Sequence, residues 1–97
     1  MITLVLSFFA SLQPLFGFQQ IIKVEYPIRI VELFNLFTDQ NGNVATLFFL
    51  WGETQLKEDF MILVNGKNIL GMDGVKTIID HDCDISFFPR IGGGACS

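Results

Sequence analysis

The side chains that could carry out chemistry are few in this sequence. Cys83, Cys96 and His81 are its only cysteines and histidine. A structural zinc site needs four ligands at short spacings, and a disulfide framework needs more than two cysteines. We therefore expect no metal site. We expect all three residues to be structural or incidental, since a cysteine near a mobile chain end lacks the electropositive surroundings that activate a thiolate.

The C-terminal stretch SFFPRIGGGACS is the most unusual part of the sequence. Successive side chains of a strand point to opposite faces, so one of Phe87 and Phe88 belongs to the core and the other is available as a docking contact. The glycine run 92–94 has no Cβ atoms and allows a close approach of the backbone to another molecule. This pattern indicates a tail that is presented to a partner.

Composition limits the classes of protein that the chain can represent. Its 97 residues suit one domain, and a hydrophobic fraction of 51% with 11 Phe predicts a folded core. We expect a domain over residues 1–91 and a flexible Gly-rich tail over 92–97. With a net charge of −4 and only six basic residues, nucleic acid is not expected as a ligand, because binding it requires neutralisation of phosphates.

The apolar N-terminal segment MITLVLSFFASLQPLFGF could be mistaken for a targeting signal. A secretory signal carries a basic region before its apolar stretch, whereas the first basic residue here is Lys23. A transmembrane helix needs about 20 apolar residues, and Ser7, Gln13 and Pro14 interrupt this segment. We predict a buried first strand instead, and with it a cytoplasmic protein that does not bind membranes.

The first half of the chain alternates between strand and helix patterns. Period-two alternation predicts a strand over Ile2–Phe9, a loop or short turn over Ser11–Gly17, and a second strand over Gln20–Tyr26 that pairs with the first as a hairpin. A helix is predicted over Ile28–Phe37 from apolar residues at helical spacing, which are Ile30, Leu33, Phe34 and Phe37. Gly42 is available as a left-handed helix cap.

The second half is dominated by strands. Residues 44–51 form a short apolar run that fits either a helix or a strand, and residues 52–59 read as a polar linker. A strand over Phe60–Val64 precedes Asn65-Gly66, a strong hairpin-turn signal, and a turn over His81–Asp84 precedes the last strand, Ile85–Pro89. The expected class is α+β: a β-grasp with the first and last strands central and parallel, and a helix packed on one face.

Three stretches resemble the ubiquitin-like sulfur carriers, the MoaD/ThiS family, which includes the archaeal small modifier proteins. They are Leu6–Leu12, Met61–Ile69 and the segment from Gly74 to Gly94, whose specific part is an acidic turn, a strand ending Phe-Phe-Pro and the glycines. The likeness is closest to MoaD. It covers the two ends of the chain well and residues 38–58 only loosely.

The resemblance implies that the chemistry belongs to the C-terminal glycine. Gly94 would be adenylated by an E1-like adenylyltransferase that uses ATP, and sulfur would then displace AMP to leave a thiocarboxylate. Gly93 and Gly94 would thread into the partner, which docks against Phe87, Phe88, Pro89, Arg90 and Ile91. The chain itself would be no enzyme and would bind no cofactor.

The resemblance leaves the destination of the sulfur open. The first expectation is the small subunit of molybdopterin synthase, with that enzyme's large subunit as partner. The alternatives are sulfur transfer for thiamine or tRNA thiolation, a covalent protein modifier joined through Gly94 to target lysines, and an interaction domain with an inert tail.

The sequence departs from the family pattern at two places. Family members usually carry Asp-Gly-Asp before the last strand, where this chain has Asp82-Cys83-Asp84. Since a cysteine tolerates positive φ poorly, this turn is expected to differ. The family chain normally ends at the diglycine, whereas Ala95-Cys96-Ser97 follow here. We predict that a peptidase cleaves the Gly94–Ala95 bond.

Overall fold

The computed structural model describes residues 1–51, 55–57 and 60–89. Its strands are β1 (Ile2–Phe8), β2 (Gln19–Val24), β3 (Ile28–Arg29), β4 (Leu50–Trp51), β5 (Gln55–Leu56), β6 (Phe60–Val64), β7 (Lys67–Asn68), β8 (Ile78–Ile79) and β9 (Cys83–Pro89). Its α-helices are α1 (Gln13–Phe16), α2 (Ile30–Leu33) and α3 (Ala45–Phe49), and 3₁₀ turns occupy Ala10–Leu12, Ile69–Gly71 and Gly74–Lys76. The predicted boundary between domain and tail, at residues 91 and 92, lies outside this range.

The main sheet has the strand order β2-β1-β9-β6-β7. Its two central strands, β1 and β9, run parallel, with Leu4 opposite Cys83 and Phe8 opposite Phe87. All other pairs in this sheet are antiparallel. The first and last strands are therefore central neighbours, which confirms the α+β, β-grasp fold.

One face of the sheet carries the core. Burial alternates along β1 and along β9, and Phe87, on the buried face, lies at the centre of a cluster of phenylalanines. Its ring centroid lies 5.0 Å from that of Phe8, 5.4 Å from Phe49 and 6.2 Å from Phe34. The helical segments thus pack on one face of the sheet, as predicted.

The predicted helix over Ile28–Phe37 is much shorter in the structure. Ile28 and Arg29 form β3, and α2 ends at Leu33. The carbonyl oxygens of Phe34 and Phe37 accept hydrogen bonds from the amides of Thr46 and Ala45. The chain therefore leaves the helical path after one turn, although the four residues at helical spacing are all buried: Ile30, Leu33, Phe34 and Phe37.

The ambiguous run over residues 44–51 combines both alternatives. Ala45–Phe49 is helical, and Leu50–Trp51 pairs with Gln55–Leu56, so part of the predicted linker is a strand. Gly42 has φ +86°, but it lies in a turn closed by the Thr38–Val44 bridge and not at the end of a helix.

Most of the strand predictions are confirmed, with shifted ends. The Asn65-Gly66 turn has φ +50° and +85°, as a type I′ hairpin requires, and it joins β6 to β7. β9 begins at Cys83 and not at Ile85, so half of the predicted turn is strand. The predicted loop over Ser11–Gly17 is largely helical.

The N-terminal segment is a buried strand followed by short helices. Ile2, Leu4, Leu6 and Phe8 are all buried. None of the helices in the described residues is long and apolar enough to span a bilayer.

Replacement of each adjacent phenylalanine by alanine should have unequal effects on stability. Phe87→Ala removes a fully buried ring from the aromatic cluster, and we expect it to lower the free energy of unfolding by about 3–5 kcal/mol. Phe88→Ala removes a half-buried ring on the other face and should cost less than half as much. Urea unfolding of the two variants measures the difference, and equal losses would contradict the assigned faces.

Candidate functional site

The outer face of the sheet carries an accessible apolar surface where β9 ends. Phe9 stacks on Phe88 with ring centroids 4.5 Å apart and planes inclined by 8°. Met61 is the cross-strand partner of Phe88 on the other side. Phe9 and Met61 are 38% and 39% exposed. These three residues, here named the outer patch, form one row across the strand that leads into the C-terminal tail.

The end of β1 holds Phe9 on this face. The amide of Phe9 donates to the carbonyl of Phe87 at 3.2 Å, which extends the β1–β9 ladder by one residue. Ala10 then adopts φ +53°, a left-handed conformation that is uncommon for a residue other than glycine, and the chain turns into the 3₁₀ segment. This sharp exit leaves the Phe9 ring beside Phe88.

The structure separates the residues that were predicted to dock a partner. Phe87 has no exposed surface, so its prediction as a docking contact is wrong: its ring fills the core. Phe88 and Pro89 are half-buried at the end of β9 and stay predicted contacts. The remaining predicted site residues lie outside the described residues: Arg90, Ile91, Gly93, Gly94 and Ala95.

Sequence reasoning missed Phe9 and Met61 as members of the site. The signal for Phe9 was present, because Phe8-Phe9 repeats the Phe87-Phe88 pair in strands expected to lie side by side. Two parallel neighbours in register place both second rings on one face. Met61 required the register between β6 and β9, which sequence alone does not supply.

Two side chains fix the opposite end of β9. The amide of Thr3 donates to Asp82 Oδ1 at 2.7 Å, which ties the start of β1 to the turn before β9. Asn65 forms two hydrogen bonds with the backbone of Asp84. The Asn65 side-chain Oδ1 accepts from the Asp84 amide, and the Asn65 backbone amide donates to the Asp84 carbonyl. These contacts set the register of β9 and thus the position of Phe88.

Cys83 lies in the strand and not in a turn with unusual backbone. Among the described residues other than glycine, positive φ occurs at Ala10 and Asn65 only. The Cys83 side chain is buried, and burial raises the pKa of its thiol, with smaller contributions from the negative charges of Asp84, Asp82 and Asp80. Cys83 is therefore a core residue with a protonated, poorly nucleophilic thiol.

His81 lies on the surface next to the same strand. Its Nδ1 is 2.7 Å from Asp80 Oδ1, and both side chains are mostly exposed. This position fits the expectation of a turn residue.

Comparison with models of known protein families shows to which family the chain belongs. The sequence model of the ThiS family matches residues 6–94. The chain belongs to the ThiS family. It is thus a member of a group of ubiquitin-like carrier and modifier proteins that generally work with E1-like activating enzymes. No curated protein gives a significant match.

Solved structures share the fold of this ThiS-family chain. The solution structure of the Haloferax volcanii HVO 2177 protein has a TM-score of 0.74 at 22% identity, over 96% of this chain and 87% of that one. Small archaeal modifier protein 1 from Methanosarcina acetivorans gives 0.70 at 21% identity, over 97% and 98%. Its counterpart from Haloferax volcanii gives 0.69 at 17%, over 95% and 99%. At these identities the likeness shows the fold.

The raised pKa of Cys83 predicts a pH dependence of stability. Its ordinary value is 9.0, and the folded thiol keeps its proton at a pH where the unfolded thiol has lost it. The unfolded state then binds fewer protons, so stability is lost as pH rises through this range. The difference in unfolding free energy between the wild type and Cys83→Ala should therefore shrink from about pH 8 to pH 10.

Urea unfolding of both proteins at each pH measures this difference. Because the other titrating groups are the same in both proteins, their contributions to the pH dependence cancel in the comparison. A difference that stays constant with pH would contradict the buried position of the thiol.

Proposed function

We propose that this chain is a sulfur carrier, whose Gly94 carboxylate is activated by a partner and converted to a thiocarboxylate. The observation that carries the proposal is the family match, which runs to Gly94 and covers the described domain except for its first five residues. The outer patch supports it, because an accessible apolar row lies where the chain enters its tail.

The chemistry requires activation because a carboxylate is a poor electrophile. An E1-like adenylyltransferase joins the Gly94 carboxylate to the AMP part of ATP and releases pyrophosphate. A sulfide nucleophile then attacks the acyl carbon and AMP leaves, so the product is a thiocarboxylate. ATP is consumed by the partner, and this chain is the partner's protein substrate.

Reach and shape explain the division of the chain into a domain and a tail. The six residues from Pro89 to Gly94 would span about 20 Å if extended, at roughly 3.3–3.6 Å each. Glycines at the end pass a narrow channel, since they carry no Cβ atom. The domain serves as a handle that binds the partner, while the tail delivers the reacting atom.

Molybdopterin synthesis is the proposed destination of the sulfur. The motives are Phe-Phe-Pro before the tail and the start Leu6–Leu12, which resemble MoaD more than ThiS. The chain would be the small subunit of molybdopterin synthase, and the large subunit would receive the thiocarboxylate end.

A covalent protein modifier is the second candidate function. It is favoured by the structural neighbours, of which two are named small archaeal modifier proteins. The same adenylate would then form an amide with a lysine of a target protein. Conjugates to lysine would support the second function, and a complex with the synthase large subunit would support the first.

The outer patch should bind the activating partner. Phe88→Ala and Met61→Ala each remove apolar contact area, so we expect roughly tenfold more carrier to be needed for half-maximal ATP–pyrophosphate exchange. Leu47→Ala is the matched control, because Leu47 is 68% exposed on α3, which packs against the opposite face of the sheet.

Circular dichroism confirms that each variant is folded. If the wild type and both patch variants reach half-maximal exchange at the same carrier concentration, the outer patch is not part of the docking surface.

The length of the tail should decide activation. We compare chains that end at Ser97, at Gly94 and at Gly92 in ATP–pyrophosphate exchange with the activating enzyme. Only the chain ending at Gly94 should support exchange, because Ala95 locks the Gly94 carbonyl in an amide and the shorter chain lacks the reacting residue. All three should unfold at the same urea concentration, because the changes lie beyond β9.

Exchange by the chain ending at Gly92 would contradict the sulfur-carrier proposal. Exchange by an intact chain ending at Ser97 would contradict the proposed cleavage of Gly94–Ala95, for which a peptidase acting in trans is required.

A further inference from the structure

Within the part of the chain that the structure describes, strand β2 lies at a free edge of the main sheet. Among the strands that the structure describes, β1 is its only neighbour, and the pairs along it include Leu4 with Ile22 and Leu6 with Gln20. The amide of Phe8 donates to the carbonyl of Phe18 in the same ladder. Because hydrogen-bonded pairs alternate in an antiparallel ladder, the backbone groups of Gln20, Ile22 and Val24 face β1. Those of Gln19, Ile21 and Lys23 face outward.

A groove lies where this edge ends, on the side of the sheet against which α2 packs. It has a volume of about 430 Å³ and lies between the end of β2 and α2. Its apolar lining comes from Val24, Tyr26, Ile28 and Leu36. Tyr26 and Leu36 are 71% and 48% exposed, so the groove is open to a ligand. An extended chain paired to the edge would direct alternate side chains into this groove.

The charges at the groove select the ligand. Glu25 and Glu32 both line it. Glu32 Oε1 accepts a hydrogen bond from the Arg29 amide, and within the described ranges neither carboxylate forms an ion pair with a basic side chain. An apolar groove bordered by two carboxylates is complementary to an extended segment with apolar residues followed by lysine or arginine. A second copy of this chain is disfavoured, because each copy carries a net charge of −4.

We propose that the free edge of β2 and the adjoining groove bind an extended apolar and basic segment of a partner protein, which adds to the sheet as a further strand. Main-chain hydrogen bonds to Ile21 and Lys23 supply the pairing, and Glu25 and Glu32 supply the preference for positive charge. This surface lies at the sheet edge, away from the end of β9. It can therefore recognise a second protein independently of the reaction at Gly94.

The test uses the full chain and a synthetic peptide. The probe is the eight-residue peptide Thr-Val-Thr-Val-Thr-Lys-Thr-Lys. A second peptide with the reversed sequence is also used, because an edge strand can pair in either direction. Amide hydrogen exchange is followed by NMR. At saturation, exchange at Ile21 and Lys23 should slow by roughly tenfold or more beyond any change at Ile22 and Val24, which are already paired to β1.

Three variants and one control peptide test the two components of the site. Ile21→Pro removes an outward amide, which an edge strand tolerates, and should weaken binding by roughly tenfold or more, whereas Ile21→Val should bind like wild type. Glu25→Gln should weaken binding of the lysine peptide. A peptide with glutamate for each lysine should bind at least roughly tenfold less tightly than the original.

Absence of protection at Ile21 and Lys23 with both peptide directions would overturn the proposal, as would unchanged binding by a folded Ile21→Pro variant. Protection that rises with protein concentration without peptide would assign the edge to a second copy, and would overturn it as well. Equal binding of the lysine and glutamate peptides would refute the charge preference.

Discussion

The parallel pairing of β1 with β9 is the constraint on which the rest of the structure depends. It brings the two ends of the domain to the centre of one sheet and sets Phe8 beside Phe87 inside and Phe9 beside Phe88 outside. A slip of one residue would exchange the faces of every side chain in β9. At the other end the contact of Asp82 with Thr3 holds this register, and the bonds of Asn65 to Asp84 hold β9 against β6. Core packing, the outer patch and the exit of the tail are thus set by one register.

This arrangement separates recognition from reaction. The aromatic core makes the domain a stable handle, and the reacting carboxylate of the proposed carrier lies beyond it, at Gly94. A partner that binds the outer patch meets the chain just where β9 passes into the tail. The free edge of β2 belongs to the same sheet but is separated from β9 by β1. One small domain therefore offers two surfaces to different partners in our account.

The fold was largely predictable because its strands carry local signals. Alternation identified β1 and β2, and Asn65-Gly66 identified the hairpin. The helix over Ile28–Phe37 was overestimated, because the carbonyls of Phe34 and Phe37, beyond the end of α2, accept hydrogen bonds from the start of α3 and not from the next helical turn. The site was only partly predictable: the sequence marked the two phenylalanines at 87 and 88, but only the observed sheet register assigned their faces and brought in Phe9 and Met61.

The central claim is that Gly94 becomes a free carboxylate and then a thiocarboxylate. Intact-mass analysis of the protein from its native cells, grown while the cofactor pathway is active, tests it most directly. The account predicts a chain that ends at Gly94, part of it heavier by the difference between a sulfur and an oxygen atom. A population made up solely of unmodified chains ending at Ser97 would contradict it.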